Sequence, residues 1–163
     1  IGKSSLLRVL GGLLPRFSGE LDVNGAIAIA DGKSALDAQS GLADALRFWA
    51  AIDHGRVKAK GQVTAALTAM GLSDLADIPV HMLSTGQTRR AALARLLVRN
   101  ADIWLLDEPA NGLDSESVGR LGTAMAAHRA CGGIVIAASH QPLPLDGANE
   151  MALADYRAKE LAE

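Results

Sequence analysis

The sequence predicts an α/β protein with a parallel β-sheet, and three observations support that fold class. Short apolar runs typical of buried strands alternate with longer segments of helical periodicity. Hydrophobic residues make up 49% of the chain and charged residues 21%, which excludes a disordered or fibrous protein. The length of 163 residues suits one domain with a sizeable core and is too short for two ordinary domains. We therefore expect residues 1–163 to form a single domain.

The first quarter of the sequence predicts one helix and one clear strand. Apolar residues over 6–13 repeat at helical spacing, and Pro15 is expected to end that helix. Residues 18–25 contain turn-forming pairs around a predicted short strand. The small apolar run at 26–30 predicts a further strand, and the polar segment 31–41 predicts a loop.

The middle of the chain predicts a mostly helical insert over residues 42–82. It contains two alanine- and leucine-rich patterns of helical periodicity, at about 42–53 and 59–71. Gly55 and Gly71 are expected to end these two helices, because glycine is common just beyond helix ends.

The second half of the chain predicts the alternation of helices and strands that a parallel sheet requires. A long helix is expected at about 87–99, followed by a buried strand within 101–107. A helix at about 115–130 then leads to a second buried strand within 133–139. Two parallel strands joined through a helix form the basic unit of an α/β fold.

The opening residues match the second half of a phosphate-binding loop, G-x-x-x-x-G-K-[ST]. Gly2, Lys3 and Ser4 would be the last three positions and Ile1 the fifth, with Ser5 following in the helix. Backbone N–H groups of such a loop and of the helix after it surround phosphate oxygens. We expect Lys3 to reach the β- and γ-phosphates and Ser4 to bind Mg²⁺ through its hydroxyl. The first four positions of the pattern are absent, so we expect an N-terminally truncated domain.

Two acidic residues follow the apolar strand within 101–107. Asp107 and Glu108 come directly after Ile-Trp-Leu-Leu, and charges at the end of a core strand are costly unless they hold a metal or a water molecule. Asp107 suits a Mg²⁺ site in a phosphate-loop ATPase, and Glu108 would polarise the attacking water. The alternative is a strand that simply runs into a solvated loop.

Three further motifs occur in a characteristic order around these acids. The segment 83–87, Leu-Ser-Thr-Gly-Gln, precedes a helix, and 111–114, Asn-Gly-Leu-Asp, lies shortly after Glu108. His140 follows the last predicted strand. In this order and spacing, the sequence resembles the ABC-type ATPases, with 83–87 as their signature motif, 111–114 as their D-loop and His140 as their switch histidine. The resemblance implies a P-loop NTPase core of the ABC type, with a parallel sheet and a helical insert.

The resemblance also implies that ATP lies between two subunits, so a second ATPase subunit is an expected partner. The helix N-terminus after the signature would present free N–H groups to the γ-phosphate. Asp114 would lie at the dimer seam, and His140 would contact the γ-phosphate and hold Glu108 and water in line. The residues implied to contact the nucleotide at the signature are Ser84, Gly86 and Gln87.

Within that family, the sequence is most similar to the ATP-binding subunit of the bacterial haem exporter of cytochrome c maturation. The segments that carry this similarity are 8–10 with 12–15, 46–49, 86–96, 102–109, 128 with 132–133, and 139–145. The resemblance implies a peripheral ATPase on the cytoplasmic side of the inner membrane, paired with integral membrane transporter subunits. ATP hydrolysis would power the release of haem-loaded chaperone.

Two features depart from the family pattern. Lys33 stands near the position where the family has a Mg²⁺-contacting glutamine, and Gln39 is displaced from it. The signature has Thr85 where the family has its first glycine. Since half of the phosphate loop is also missing, we expect the 163-residue chain to bind ATP poorly and to turn over little. The alternatives are an ATPase of a different transporter and a truncated, inactive fragment.

Composition excludes other partner classes. A net charge of −2 and an aromatic content of 3% argue against nucleic acid. The sequence contains no run of about 18 apolar residues, so it predicts no membrane-spanning helix. The arginines of the 87–99 helix are expected to form a solvated face with some acidic partners; they are Arg89, Arg90, Arg95 and Arg99.

Overall fold

The computed structural model describes residues 2–156, and within them three parallel strands form the sheet. The strands are β1 (Ile27–Ala30), β2 (Ile103–Asp107) and β3 (Ile134–Ala138), in the spatial order β1-β2-β3. Both strand pairs are parallel, so their carboxyl ends lie at one edge of the sheet. The predicted α/β class with a parallel sheet is confirmed.

Helices cover the two faces of the central strand β2. The helices are α1 (Lys3–Leu10), α2 (Leu42–Ala69), α3 (Thr85–Leu97) and α4 (Ser115–Ala130). Trp104 and Leu106 belong to the main apolar core, which includes residues of α2, α3 and α4. Leu105 faces the other way and packs in a smaller cluster with Leu7 of α1. Alternate residues of one strand therefore bind the helices of both layers to the sheet.

Helix α1 is shorter than its periodicity predicts. It ends at Leu10, and Gly12 has a φ of +70°, a left-handed conformation that glycine adopts without strain. Gly11 lies so close to the side chain of Ile29 that a Cβ would not fit without movement. The two glycines end the helix before Pro15 is reached. The predicted short strand within 18–25 is also wrong, since the chain there pairs with no strand among the described residues.

The helical segment agrees with the prediction of two helices interrupted at Gly55. Helix α2 is assigned as one element, but Gly55 within it has non-helical angles, with φ of +71° and ψ of 159°. Gly71, just past the helix, is also left-handed at φ +63°. Two single turns of 3₁₀ helix, Ser73–Leu75 and Val80–Met82, lead from α2 to α3.

Leu106 tests how much of the stability comes from packing of the central strand. Its side chain is 0% exposed, so we expect Leu106→Ala to lower the free energy of unfolding by about 2–5 kcal/mol, through lost burial and the cavity left behind. Leu13→Ala is the matched control, because Leu13 is 65% exposed and its truncation is expected to cost about 0.5 kcal/mol or less. Denaturant unfolding measures both. Equal losses in the two variants would contradict this account of the core.

Candidate functional site

The carboxyl edge of the sheet brings the start of α1 against the acids that end β2. Ser4 donates a hydrogen bond from Oγ to Asp107 Oδ1 at 2.9 Å, although the two residues are 103 positions apart. Asp107 is the last residue of β2, and Ser4 lies in the first turn of α1. The side chains predicted to hold a cation therefore lie together.

Lys3 bridges the other groups at this edge. Its Nζ donates to the carbonyl oxygen of Ser139 at 3.0 Å and to His140 Nδ1 at 3.2 Å. The same Nζ lies 3.9 Å from Glu108 Oε1. A lysine ammonium at the N-terminal end of α1 adds positive charge where the helix already presents free N–H groups. This arrangement suits an anion such as phosphate.

Glu108 has a strained backbone and is held from both sides. Its φ of +48° is left-handed, which costs a residue with a Cβ about 1–2 kcal/mol. Its N–H donates to the carbonyl oxygen of Ala138 at 2.8 Å, and its own carbonyl accepts from the N–H of Asn111 at 3.0 Å. The carboxylate accepts from the backbone N–H of His140 at 3.2 Å, and His140 Nε2 lies 3.5 Å from Oε1. Strain held in this way is typical of functional sites.

The signature segment forms the start of α3. Ser84 is the N-cap: its Oγ accepts from the N–H of Gln87 at 3.3 Å, and its own N–H donates to Gln87 Oε1 at 2.8 Å. This reciprocal pair is a capping box, which leaves other N–H groups of the first turn without helical partners. A Cβ at Gly86 would meet nothing within 4 Å, so the surface there is open.

A cavity of about 240 Å³ lies beside Ser4, Asp107 and Glu108. Helix α3 contributes Arg89, Ala92 and Leu93 to its wall, and the end of β1 contributes Ala30 with the following residues Asp31 and Gly32. The signature residues do not line it, so within one chain the open N-terminus of α3 is separate from the cluster around Lys3.

Sequence reasoning missed two of these wall residues, Asp31 and Arg89. Lys33 lies near the position of the family's Mg²⁺-contacting glutamine, and Gln39 is displaced from it. Both residues are exposed, and neither lines the cavity. Asp31 is signalled only by its place directly after a strand. Ile1 lies outside the described residues, so its predicted place in the loop has no structural counterpart here.

The expectation of a solvated arginine face is wrong: Arg89, Arg90 and Arg99 are half-buried, and Arg95 is buried. Its side chain is 9% exposed, and Nη2 donates to the carbonyl oxygen of Ile29 at 3.0 Å. Its guanidinium carbon lies 5.0 Å from the ring centroid of Trp49, within the range of a cation–π contact. Burial lowers the pKa of Arg95, and Asp31 opposes that shift. Arg99 does have an acidic partner, since its Nε lies 2.6 Å from Asp53 Oδ2.

Asp114 caps helix α4. Its Oδ1 accepts from the N–H of Ser117 at 2.8 Å. This bond and a second one from the Ser117 side chain hold the pKa of Asp114 below its ordinary value, with a smaller contribution from Arg90 and Arg120. A local structural role therefore accounts for the described contacts of Asp114.

Comparison with known proteins agrees with this geometry. The family model described as ABC transporter matches residues 1–111. The chain is 49% identical over 158 residues to the cytochrome c biogenesis ATP-binding export protein CcmA of Novosphingobium aromaticivorans, covering 96% of this chain and 78% of that protein. The protein of the same name from Zymomonas mobilis is 48% identical, over 97% of this chain and 70% of its own length.

Solved structures give the same fold. CbiO1 from Clostridium perfringens, part of the ABC transporter complex CbiONQ, superposes with a TM-score of 0.68 at 28% identity, over 86% of this chain and 63% of that chain. The ATP-binding cassette MJ0796 superposes with a TM-score of 0.74 over 86% of this chain and 70% of its own. At 21% identity, the second likeness supports the fold alone.

The cap at Asp114 gives stability a dependence on pH. Since the pKa is lowered in the folded protein, the carboxylate stabilises the fold above about pH 4, and this contribution disappears as the pH falls through the folded-state pKa. Asn also caps helices but does not titrate. We therefore expect Asp114→Asn to lose less stability than the parent chain between pH 7 and pH 3, measured by denaturant unfolding. An identical loss in both proteins would show that Asp114 does not contribute.

Proposed function

The chain belongs to the ABC transporter family, and we propose that it is the ATP-hydrolysing subunit of a haem exporter for cytochrome c biogenesis. The observation that carries the ATPase assignment is the cluster of Lys3, Ser4, Asp107 and Glu108, assembled from α1 and β2. The assignment to cytochrome c biogenesis rests on the relatives that carry that name.

The cluster fits Mg²⁺ bound together with nucleotide phosphates. Ser4 and Asp107 offer a hydroxyl and a carboxylate oxygen 2.9 Å apart, and oxygen is the donor that Mg²⁺ prefers. Over residues 2–156, no group of three or more His, Cys, Asp or Glu side chains could hold a metal by itself. Beside ATP, Mg²⁺ is usually bound by one or two protein ligands together with phosphate and water. When bound, it would neutralise charge on the phosphates.

We assign the hydrolytic roles to Lys3, Glu108 and His140. Lys3 neutralises phosphate charge, aided by the N–H groups at the start of α1 and by Gly2, whose φ of +87° turns the backbone into the helix. Ser5, exposed in the first turn, adds a further hydroxyl there. Glu108 accepts a hydrogen bond from the attacking water and orients it, and His140, beside the Glu108 carboxylate, keeps that carboxylate in place.

We assign Ser84, Gly86 and Gln87 to the nucleotide of a second subunit. The capped, open N-terminus of α3 offers N–H groups to an anion, and none of these three residues lines the cavity beside Glu108. Two chains facing each other would complete two sites, with Asp114 near their seam. This arrangement is why a second ATPase subunit is the first proposed partner.

The remaining partners are proposed to be integral membrane transporter subunits. No helix within the described part of the chain is long and apolar enough to cross a membrane. From the named relatives, we propose that these subunits place the chain on the cytoplasmic side of the bacterial inner membrane. We further propose that residues 1–163 form one ATP-binding domain, with 42–82 as its helical part.

Glu108→Gln tests the hydrolytic assignment. The amide keeps the size of the side chain and one acceptor oxygen but removes its negative charge and basicity, so we expect the rate of hydrolysis to fall about 100-fold or more while nucleotide binding is retained. The full reading frame that encodes this chain is assayed for Mg²⁺-dependent phosphate release and for ATP-dependent dimerisation by size-exclusion chromatography.

Glu116→Gln is the matched control for this experiment. This substitution makes the same chemical change at an exposed position of α4, where the Glu116 carboxylate pairs with Arg120. Its activity is expected to equal that of the parent protein. Hydrolysis at the parent rate in Glu108→Gln would refute the role of Glu108.

Complementation tests the assignment to cytochrome c biogenesis. The same reading frame, expressed in bacteria that lack their own haem-exporter ATPase, is expected to restore covalent haem on c-type cytochromes, detected by haem staining of separated proteins. Restoration by the parent but not by Glu108→Gln supports the proposal. Failure to restore haem by a protein that hydrolyses ATP in vitro would overturn the cytochrome assignment and leave an ATPase of another transporter.

A further inference from the structure

We propose that Arg89 is a positioning residue for hydrolysis, because it ties the strained turn that begins at Glu108 to helix α3. The inference rests on the proposed ATPase function and adds a residue whose side chain would act through the backbone of that turn. Its position on α3 lies five residues beyond the signature serine, Ser84.

The turn from Glu108 to Asn111 determines where the Glu108 carboxylate lies. Glu108 adopts φ +48°, and the N–H of Asn111 donates back to the Glu108 carbonyl at 3.0 Å to close the turn. At its first residue the turn is fixed to the sheet, since Glu108 N–H donates to the Ala138 carbonyl at 2.8 Å. A left-handed conformation in a residue with a Cβ persists only where neighbouring contacts impose it. The far end of the turn therefore needs an anchor too.

Arg89 provides that second anchor. Its Nη1 donates to the carbonyl oxygen of Asn111, the last residue of the turn. The side chain is half-buried and lines the same cavity as Asp107 and Glu108. With Ala138 at one end and Arg89 at the other, the turn is held between β3 and α3.

The loop is shaped to receive this guanidinium. Gly112 directly follows the turn, and a Cβ built there would overlap the guanidinium of Arg89. Gly112 also has φ +66°, so both space and conformation favour glycine. Both the hydrogen bond to Asn111 and the close approach at Gly112 involve Nη1 of Arg89, so they describe one contact between the loop and this guanidinium.

Arginine suits this position better than lysine. Its planar guanidinium presents five N–H donors in a fixed arrangement, whereas a lysine ammonium is a compact charge on a flexible stem. Lysine would keep the positive charge near Asp107 and Glu108 but would hold the Asn111 carbonyl less rigidly. Charge and anchoring can therefore be separated by substitution.

The test compares Arg89→Ala and Arg89→Lys with Arg129→Ala in the full reading frame. Arg129 makes a chemically similar contact away from the site, since its Nη1 donates to the Asp146 carbonyl at 2.7 Å. We expect Arg89→Ala to lower kcat about tenfold or more, because small misplacement of a catalytic group is costly. KM for ATP, binding of a fluorescent ATP analogue and the unfolding midpoint are expected to stay close to the parent values. Arg89→Lys is expected to recover part of kcat, and Arg129→Ala to match the parent.

Gly112→Ala gives a second route to the same conclusion. The added methyl group displaces the guanidinium, so it is expected to lower kcat in the parent but to have a smaller further effect in Arg89→Ala. Such non-additivity is the signature of two residues that act through one contact. If Arg89→Ala does not fold, the same comparison is made with Arg89→Lys, in which Gly112→Ala is again expected to have a smaller effect than in the parent.

The outcomes separate the two proposals. A parent protein that does not hydrolyse ATP would refute the proposed function, and the role of Arg89 with it. An active parent with unchanged kcat in Arg89→Ala and Arg89→Lys would refute only the role of Arg89. A raised KM with unchanged kcat would identify Arg89 as a nucleotide-binding residue and would also overturn the positioning role. Fully additive effects of Arg89→Ala and Gly112→Ala on kcat would also overturn the positioning role.

Discussion

The pairing of β2 with β3 is the constraint on which the rest of the site depends. Its register places Asp107 opposite Ala138, so the residue after each strand leaves the sheet at the same level. Glu108 N–H then reaches the Ala138 carbonyl, and His140 N–H reaches the Glu108 carboxylate. A shift of one residue would reverse the faces of β2 and remove the contacts that now bring Ser4 and Lys3 to this edge. Burial of Trp104 and Leu106 on one face and Leu105 on the other makes that shift costly.

The sequence predicted the parts of the structure that depend on local pattern. Strands β2 and β3 are apolar runs, and the acids after β2 stand out because charge follows a buried strand. The apolar spacing predicts a longer α1 because it continues past Leu10. The helix ends there because of the conformation and close packing of Gly11 and Gly12. Arg95 was misjudged because residues of similar polarity along α3 differ in which neighbour covers them. Arg89 acts through a carbonyl 22 positions away, which no pattern within α3 could reveal.

At Glu108, an unfavourable backbone conformation is offset by the hydrogen bonds that hold its carboxylate in place. A left-handed backbone costs about 1–2 kcal/mol, comparable to the net value of one or two hydrogen bonds. Three bonds surround this residue, from its own N–H, from Asn111 and from His140. They outweigh the strain and hold the carboxylate beside Lys3. Without these hydrogen bonds, the backbone of Glu108 would relax to a less strained conformation. Their main effect is therefore to fix the position of the carboxylate.

Helix α3 connects the two ends of this arrangement mechanically. Ser84 caps its first turn at an open surface, and Arg89 lies about 7.5 Å further along the axis, where it holds Asn111. Arg95, buried further along the helix, fixes it to the end of β1. If α3 receives the nucleotide of a second subunit at Ser84, any displacement there reaches the turn that carries Glu108. The anchor at Arg89 would then make hydrolysis in one site depend on how the opposite site is filled.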